Sequence, residues 1–143
     1  MDKKKFFKKL IGWIIYIAIL AGLVLGIPRA LSHYLNTQYP MASITSGSMW
    51  PVLKKGDLVF IKGVNDKKDI QEGDIVIYNN REGFTIHRIV SMGATTITTK
   101  GDANKTMDSP VKYEEIVGKT VNFKGKPLRI PYLGNISMIL MKK

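Results

Sequence analysis

The stretch GDIVIYNNREGFTIHRIVS, residues 73–91, reads as two strands folded on a tight connection. Gly73 and Asp74 open it as turn residues, glycine because it admits positive φ and aspartate because its side chain caps a turn. Ile75-Val76-Ile77-Tyr78 is then a short β-type run. Asn79-Asn80-Arg81-Glu82-Gly83 is a hairpin connection, and Phe84 to Ser91 returns as the second strand. Alternation with period two sets Phe84, Ile86, Arg88 and Val90 on one face of that strand, and Thr85, His87, Ile89 and Ser91 on the other.

The same grammar holds on both sides of this hairpin. Met41 to Thr45 is a candidate strand, and Gly56-Asp57 opens Leu58-Val59-Phe60-Ile61 as Gly73-Asp74 opens its own strand, an echo of turn chemistry rather than an internal repeat. Val64 to Glu72 is a solvated loop of mixed charge. Thr95 to Lys100 is β-rich, residues 101–110 form a polar loop, and Ile116 to Phe123 is a further strand interrupted by Gly118. Pro127 to Gly134 is irregular. No helical pattern competes with these runs, so residues 40–134 are expected to form one mainly β domain, a small curled antiparallel sheet or partly open barrel.

Upstream, Leu10 to Ile27 (LIGWIIYIAILAGLVLGI) carries no charge, and its length is close to the ~20 residues a helix needs to cross a bilayer. A cleavable signal peptide would have an apolar region of about 7–15 residues, so a retained transmembrane anchor is the better reading. Trp13 and Tyr16 suit an interface, and Pro28 and Arg29 close the segment. Lys3, Lys4, Lys5, Lys8 and Lys9 precede it while Arg29 alone follows directly, which puts the N-terminus in the cytoplasm and the rest outside. The expected organisation is a cytoplasmic basic N-terminus (1–9), an anchor (10–28), a polar stalk (29–39), the extracytoplasmic β domain (40–134) and an apolar and basic tail (135–143). The tail is too short to span a bilayer, but with Lys142 and Lys143 at the headgroups it can rest on one.

Composition narrows the chemistry. There is no cysteine and there are only two histidines, His33 and His87, which excludes disulfides and thiolate zinc and leaves no basis for a metal site or cofactor. The 22 Lys and Arg against 11 Asp and Glu give a charge of +11. That excess gathers before the anchor and is otherwise dispersed, without the aromatic and arginine stripe of a nucleic-acid surface. The natural partners of such a surface are membrane lipids.

Chemistry concentrates at Ser46-Gly47-Ser48-Met49-Trp50-Pro51, where glycine and proline fix a turn that can present a serine hydroxyl to solvent. Serine is a weak nucleophile that needs a base and a group to orient that base. His87 can accept a proton at neutral pH, whereas His33 in the stalk has no companions. Asp102 and Asp108 both lie on the polar loop, where a carboxylate is easily aimed. Lys100 is a rival base, although a lysine must be desolvated to serve. Trp50 is either part of the core or an aromatic anchor at the membrane surface.

Taken in order, Ser46 to Pro51, Gly56-Asp57-Leu58-Val59, Gly73-Asp74-Ile75-Val76, Ile86-His87-Arg88-Ile89-Val90 and Thr99-Lys100-Gly101-Asp102 resemble the sequence boxes of type I signal peptidases. They look like the endoplasmic-reticulum, archaeal and sporulating-bacterium branch, in which histidine replaces the lysine base. Pro131-Tyr132-Leu133-Gly134 with Ser137-Met138 resembles the closing segment of that branch. Trp50 and Val52 depart from residues frequent in the family, away from the proposed chemistry. The resemblance implies a membrane-anchored serine endopeptidase with Ser48 as nucleophile, His87 as general base, Asp108 orienting His87, Asp102 holding the loop, and the Ser48 N–H and Ser46 hydroxyl as oxyanion donors. It further implies signal peptides with small residues before the cut as substrates, translocon or accessory subunits as candidate partners, and the cell membrane as the location. A noncatalytic tethered β module that binds exported peptides or a partner is the competing reading. Self-cleaving repressors on this fold are disfavoured by the anchor.

Overall fold

The computed structural model describes residues 3–80 and 83–141. Arg81 and Glu82, expected as part of the hairpin connection, and the terminal Lys142 and Lys143, expected at headgroups, lie outside the described residues. The chain divides into two compact units, residues 1–34 and residues 35–143.

The first unit is one helix, α1 (Lys3–Tyr34), long and apolar enough to cross a membrane and without a buried residue. Pro28 does not close it: the helix continues to Tyr34, so the first half of the expected stalk is helical. Proline removes one intrahelical hydrogen bond, a loss tolerated in membrane helices because local adjustments and neighbouring groups satisfy the freed carbonyl. The second half of the stalk is part of the β unit. Leu35 O accepts from the Gly63 N–H at 2.8 Å and Pro40 O from the Ile61 N–H at 2.9 Å.

The second unit is mainly antiparallel sheet. In chain order the strands are β1 (Met41–Ser43), β2 (Leu58–Gly63), β3 (Ile75–Asn80), β4 (Gly83–Met92), β5 (Thr96–Lys100), β6 (Val111–Lys112), β7 (Ile116–Thr120), β8 (Asn122–Phe123), β9 (Lys126–Pro127) and β10 (Arg129–Ile130), followed by a helix α2 (Gly134–Met141). The main sheet runs β1-β2-β7-β3-β4-β5-β6, with β10 pairing β2, and it does not close. This is the open, curled sheet expected from the strand pattern.

β3 is central because both of its faces are apolar. Ile75 and Ile77 join one buried cluster with Ile44, Met49, Leu53, Val59 and Ile61, while Val76 and Tyr78 join a second with Ile89, Ile97, Val111 and Ile116. Each fully buried aliphatic side chain contributes about 1.5–3 kcal/mol, so the strand next to the site is the most firmly held. Gly118 is the reason β7 fits between β2 and β3. A Cβ there would lie 2.6 Å from Lys62 O, a distance no side chain allows.

Three expectations change at the ends of strands. The alternation of β4 holds as far as Ile89, then a bulge shifts the pairing from Ile89↔Thr99 to Ser91↔Thr98, which exposes Val90 and Ser91 together. The strand expected over Ile116 to Phe123 breaks after Thr120. Its remainder pairs in the small β8–β9 hairpin, turned by Lys124 and Gly125, both with positive φ. The tail from Gly134 is helical and packs on β1, and the irregular stretch before it contributes β10. The loop after β2 is largely solvated as expected, pinned by buried Ile70 and by a capped turn at Lys67–Asp69. Two backbone N–H groups, from Asn65 and Asp66, hold the Asp69 carboxyl below its usual range.

Candidate active site

Ser48 sits on a turn whose next residue is driven into the core. Met49 and Leu53 are buried, and the turn is closed by bonds from the Trp50 N–H to Gly47 O at 3.0 Å and from the Leu53 N–H to Met49 O at 2.9 Å. Between exposed Gly47 and buried Met49, Ser48 is left half-buried at the surface. Its Oγ lies 3.1 Å from Ser46 Oγ, and its N–H is a long 3.5 Å from the same oxygen. Trp50 is 57% exposed, so of its two readings the core is excluded.

His87 is placed by strand register. It stands opposite Val76 on β3, and along β4 it shares a face with Ile89, which stands opposite Thr99 on β5. Tyr78 is two residues beyond Val76. Period two therefore brings Tyr78, His87 and Thr99 to one face of three adjacent strands.

Asp108 closes that face. Its N–H donates to Thr99 O at 2.8 Å, and its Oδ2 lies 2.6 Å from His87 Nδ1, 2.8 Å from Thr99 Oγ1 and 3.2 Å from the Tyr78 hydroxyl. Burial raises the Tyr78 pKa, which keeps its hydroxyl protonated and able to donate. Neither Tyr78 nor Thr99 is a candidate site residue from the sequence alone. The available signal was two hydroxyls on the covered face of the strands flanking His87, where a polar group needs a partner.

Asp102 is engaged differently. Arg88 Nε and Nη2 donate to its two oxygens at 2.8 and 2.7 Å, and Arg88 Nη1 donates to Gly73 O at 2.7 Å. Hydrogen bonding to Asp102 raises the Arg88 pKa further. The same loop is tied to the serine turn: the Ala103 N–H donates to Ser48 O at 2.8 Å, and a Cβ on Gly101 would lie 2.7 Å from that oxygen. Lys100 pairs with Arg88 across β4 and β5 and points away from the face that holds Thr99.

Ser46, Ser48 and His87 all line a cleft of about 790 Å³ whose other walls include Met41, Ile44, Ile77, Ile86 and Val117. Among the described residues no hydrogen bond joins Ser48 to His87, and Asp102 and Asp108 are absent from the lining. The cleft thus offers a hydroxyl and an imidazole, with a carboxylate on the far nitrogen of that imidazole. Such a set can activate a nucleophile for acyl transfer, and an apolar groove beside an edge strand can hold an extended peptide.

Comparison with known proteins points the same way. Residues 25–121 match the Peptidase S24-like family. The signal peptidase complex catalytic subunit sec11 of Pyrenophora tritici-repentis is 28% identical over 149 residues, covering 93% of this chain and 82% of the relative. The subunit of the same name from Pyrenophora teres f. teres is 30% identical over 128 residues, covering 78% and 69%. That of Lachancea thermotolerans is 30% identical over 127 residues, covering 77% and 71%.

Proposed function

The chain belongs to the Peptidase S24-like family as a membrane-anchored signal peptidase, and we propose that it cuts exported preproteins with Ser48 as nucleophile, His87 as general base and Asp108 as the group that orients the base. The observation that carries this reading is the 2.6 Å approach of Asp108 Oδ2 to His87 Nδ1 beside a cleft that Ser48 also lines.

With Nδ1 held by Asp108, Nε2 is the nitrogen left to take a proton. On substrate binding the Ser48 hydroxyl leaves Ser46 and turns to His87, a hydrogen bond of the kind that tightens only in the complex. Ser48 Oγ bonds to the scissile carbonyl carbon as its proton passes to Nε2, and the carbonyl oxygen becomes an oxyanion. The Ser48 N–H, without a close acceptor of its own, donates to that oxyanion, and Ser46 Oγ supplies a second donor. Collapse breaks the C–N bond, with Nε2–H protonating the departing amine. Water then releases the acyl group with His87 again taking the proton.

The substrate lies as an added strand along Met41 to Thr45, since β1 is the end strand of the sheet, and beside Phe84 to His87. The apolar walls accept small side chains before the cut. The five lysines in the first turns of α1, ahead of its apolar run, support an N-terminus in the cytoplasm and a catalytic unit outside a cell membrane. Relatives named as subunits of a signal peptidase complex support accessory subunits here as well.

The test is cleavage of a preprotein with an Ala-x-Ala site by the full chain in liposomes. Ser48→Ala and His87→Ala are each expected to lower kcat by several orders of magnitude, about 10⁶-fold in a fully coupled triad, while Lys100→Ala stays active. Retained cleavage by His87→Ala sinks the histidine mechanism.

A further inference from the structure

Asp108 Oδ2 is the acceptor for more than the imidazole. Thr99 Oγ1 at 2.8 Å and the Tyr78 hydroxyl at 3.2 Å converge on the same oxygen that lies 2.6 Å from His87 Nδ1. Thr99 is 0% exposed and Tyr78 4% exposed, so water does not compete for either hydroxyl. Thr99 Oγ1 also lies 3.2 Å from the Tyr78 oxygen, which leaves it one proton and two acceptors. The charged carboxylate at the shorter distance is the better of the two.

We propose that Thr99 and Tyr78 are positioning residues of the peptidase: their hydroxyls, donating to Asp108 Oδ2 at 2.8 and 3.2 Å, fix that oxygen against His87 Nδ1 and so hold Nε2 toward the cleft. The proposal rests on the serine, histidine and aspartate reading above and adds to it the origin of the aim.

The physical need is specific. A carboxylate at the end of an aspartate side chain can rotate, and a single contact to an imidazole that must itself gain and lose a proton does not fix it. The backbone bond from the Asp108 N–H to Thr99 O fixes the main chain only. Two hydroxyls on rigid strands fix the oxygen. Neither hydroxyl gains a full charge during the reaction, so both serve the resting and the charged states of His87. Other carboxylates nearby are already matched, Asp74 with Lys119 at 2.9 Å and Asp102 with Arg88 at 2.7 Å, and among the described residues His87 Nδ1 meets the carboxylate of Asp108.

The experiment uses the full chain in liposomes, cutting the Ala-x-Ala preprotein, with the His87 Nδ1 proton followed by NMR in labelled protein. Thr99→Val keeps the shape and removes the donor. It is expected to lower kcat about 10- to 100-fold, the range for a hydrogen bond to a charged group, with KM within about twofold and the Nδ1 proton shifted or broadened. Thr99→Ser restores the donor and should recover most of kcat. Tyr78→Phe, at the longer contact, should cost about threefold with a smaller NMR change. Wild-type kcat and NMR in Thr99→Val, or a Thr99→Ser no better than Thr99→Val, overturns the positioning role. If Thr99→Val does not fold, Tyr78→Phe decides, and unchanged kcat and resonance in it overturn the proposal. Asp108→Asn separates the two levels: if it is inactive while Thr99→Val is normal, only this inference fails, whereas if it is fully active the underlying mechanism fails.

Discussion

Asp102 and Asp108 sit on one loop between β5 and β6, yet a guanidinium meets the first and an imidazole with two hydroxyls meets the second. The partners decide what each carboxylate can do. Arg88 holds its proton at any working pH, so its fork on Asp102 is a fixed brace, extended to the turn before β3 by the bond to Gly73 O. His87 is the base of the proposed mechanism, so the carboxylate on its Nδ1 belongs to that cycle. In that mechanism one loop carries a brace and a working group, and the bond from the Ala103 N–H to Ser48 O links both to the serine turn.

The largest expected effect that separates them is at Asp108. In Asp108→Asn an amide replaces the acceptor, His87 is held in the wrong tautomer, and kcat should fall about 10⁴-fold, as for the orienting aspartate in other serine peptidases. Thermal unfolding of the variant in detergent should stay close to that of the parent. At Asp102 the balance reverses. Asp102→Asn removes an ionic partner from Arg88, and urea unfolding should show about 1–3 kcal/mol less stability, with cleavage retained at low temperature where the loop stays folded. Equal losses of kcat in the two variants would collapse the distinction between brace and working group.

The brace and the working group were legible to different degrees. The hairpin of residues 73–91 stood out because glycine, aspartate and β-branched residues mark strands locally, and the alternation set His87 on one face with Ile89, but only the structure shows that both are buried. Both aspartates stood out as loop carboxylates, but the residues themselves left open which would meet which partner. That depends on strand order, since Thr99 and Tyr78 reach Asp108 only because β3, β4 and β5 are neighbours. The bulge after Ile89 was hidden because an extra residue leaves no mark on composition. The helix at Gly134–Met141 was hidden because a run this short carries too little periodicity to be read. Pro28 misled in the opposite direction: its missing N–H costs the helix one bond, and the turns on either side carry the helix on to Tyr34.

The smallest expected effect is the sharpest test of the brace. Arg88→Lys keeps the charge opposite Asp102 but replaces a planar fork, with two parallel bonds to the carboxylate and one to Gly73 O, by a single ammonium. The side chain is about one-third exposed, so water takes up part of what is lost and the cost should be about 0.5–1.5 kcal/mol in urea unfolding. If the fork matters only as a brace, kcat of Arg88→Lys stays within about twofold of the parent, because a lysine still offers Asp102 a cation and the loop keeps its bond to Ser48 O. A drop approaching that of Asp108→Asn would mean that the direction of the Asp102 carboxylate, and not merely its neutralisation, is transmitted through Gly101 and Ala103 to the serine turn.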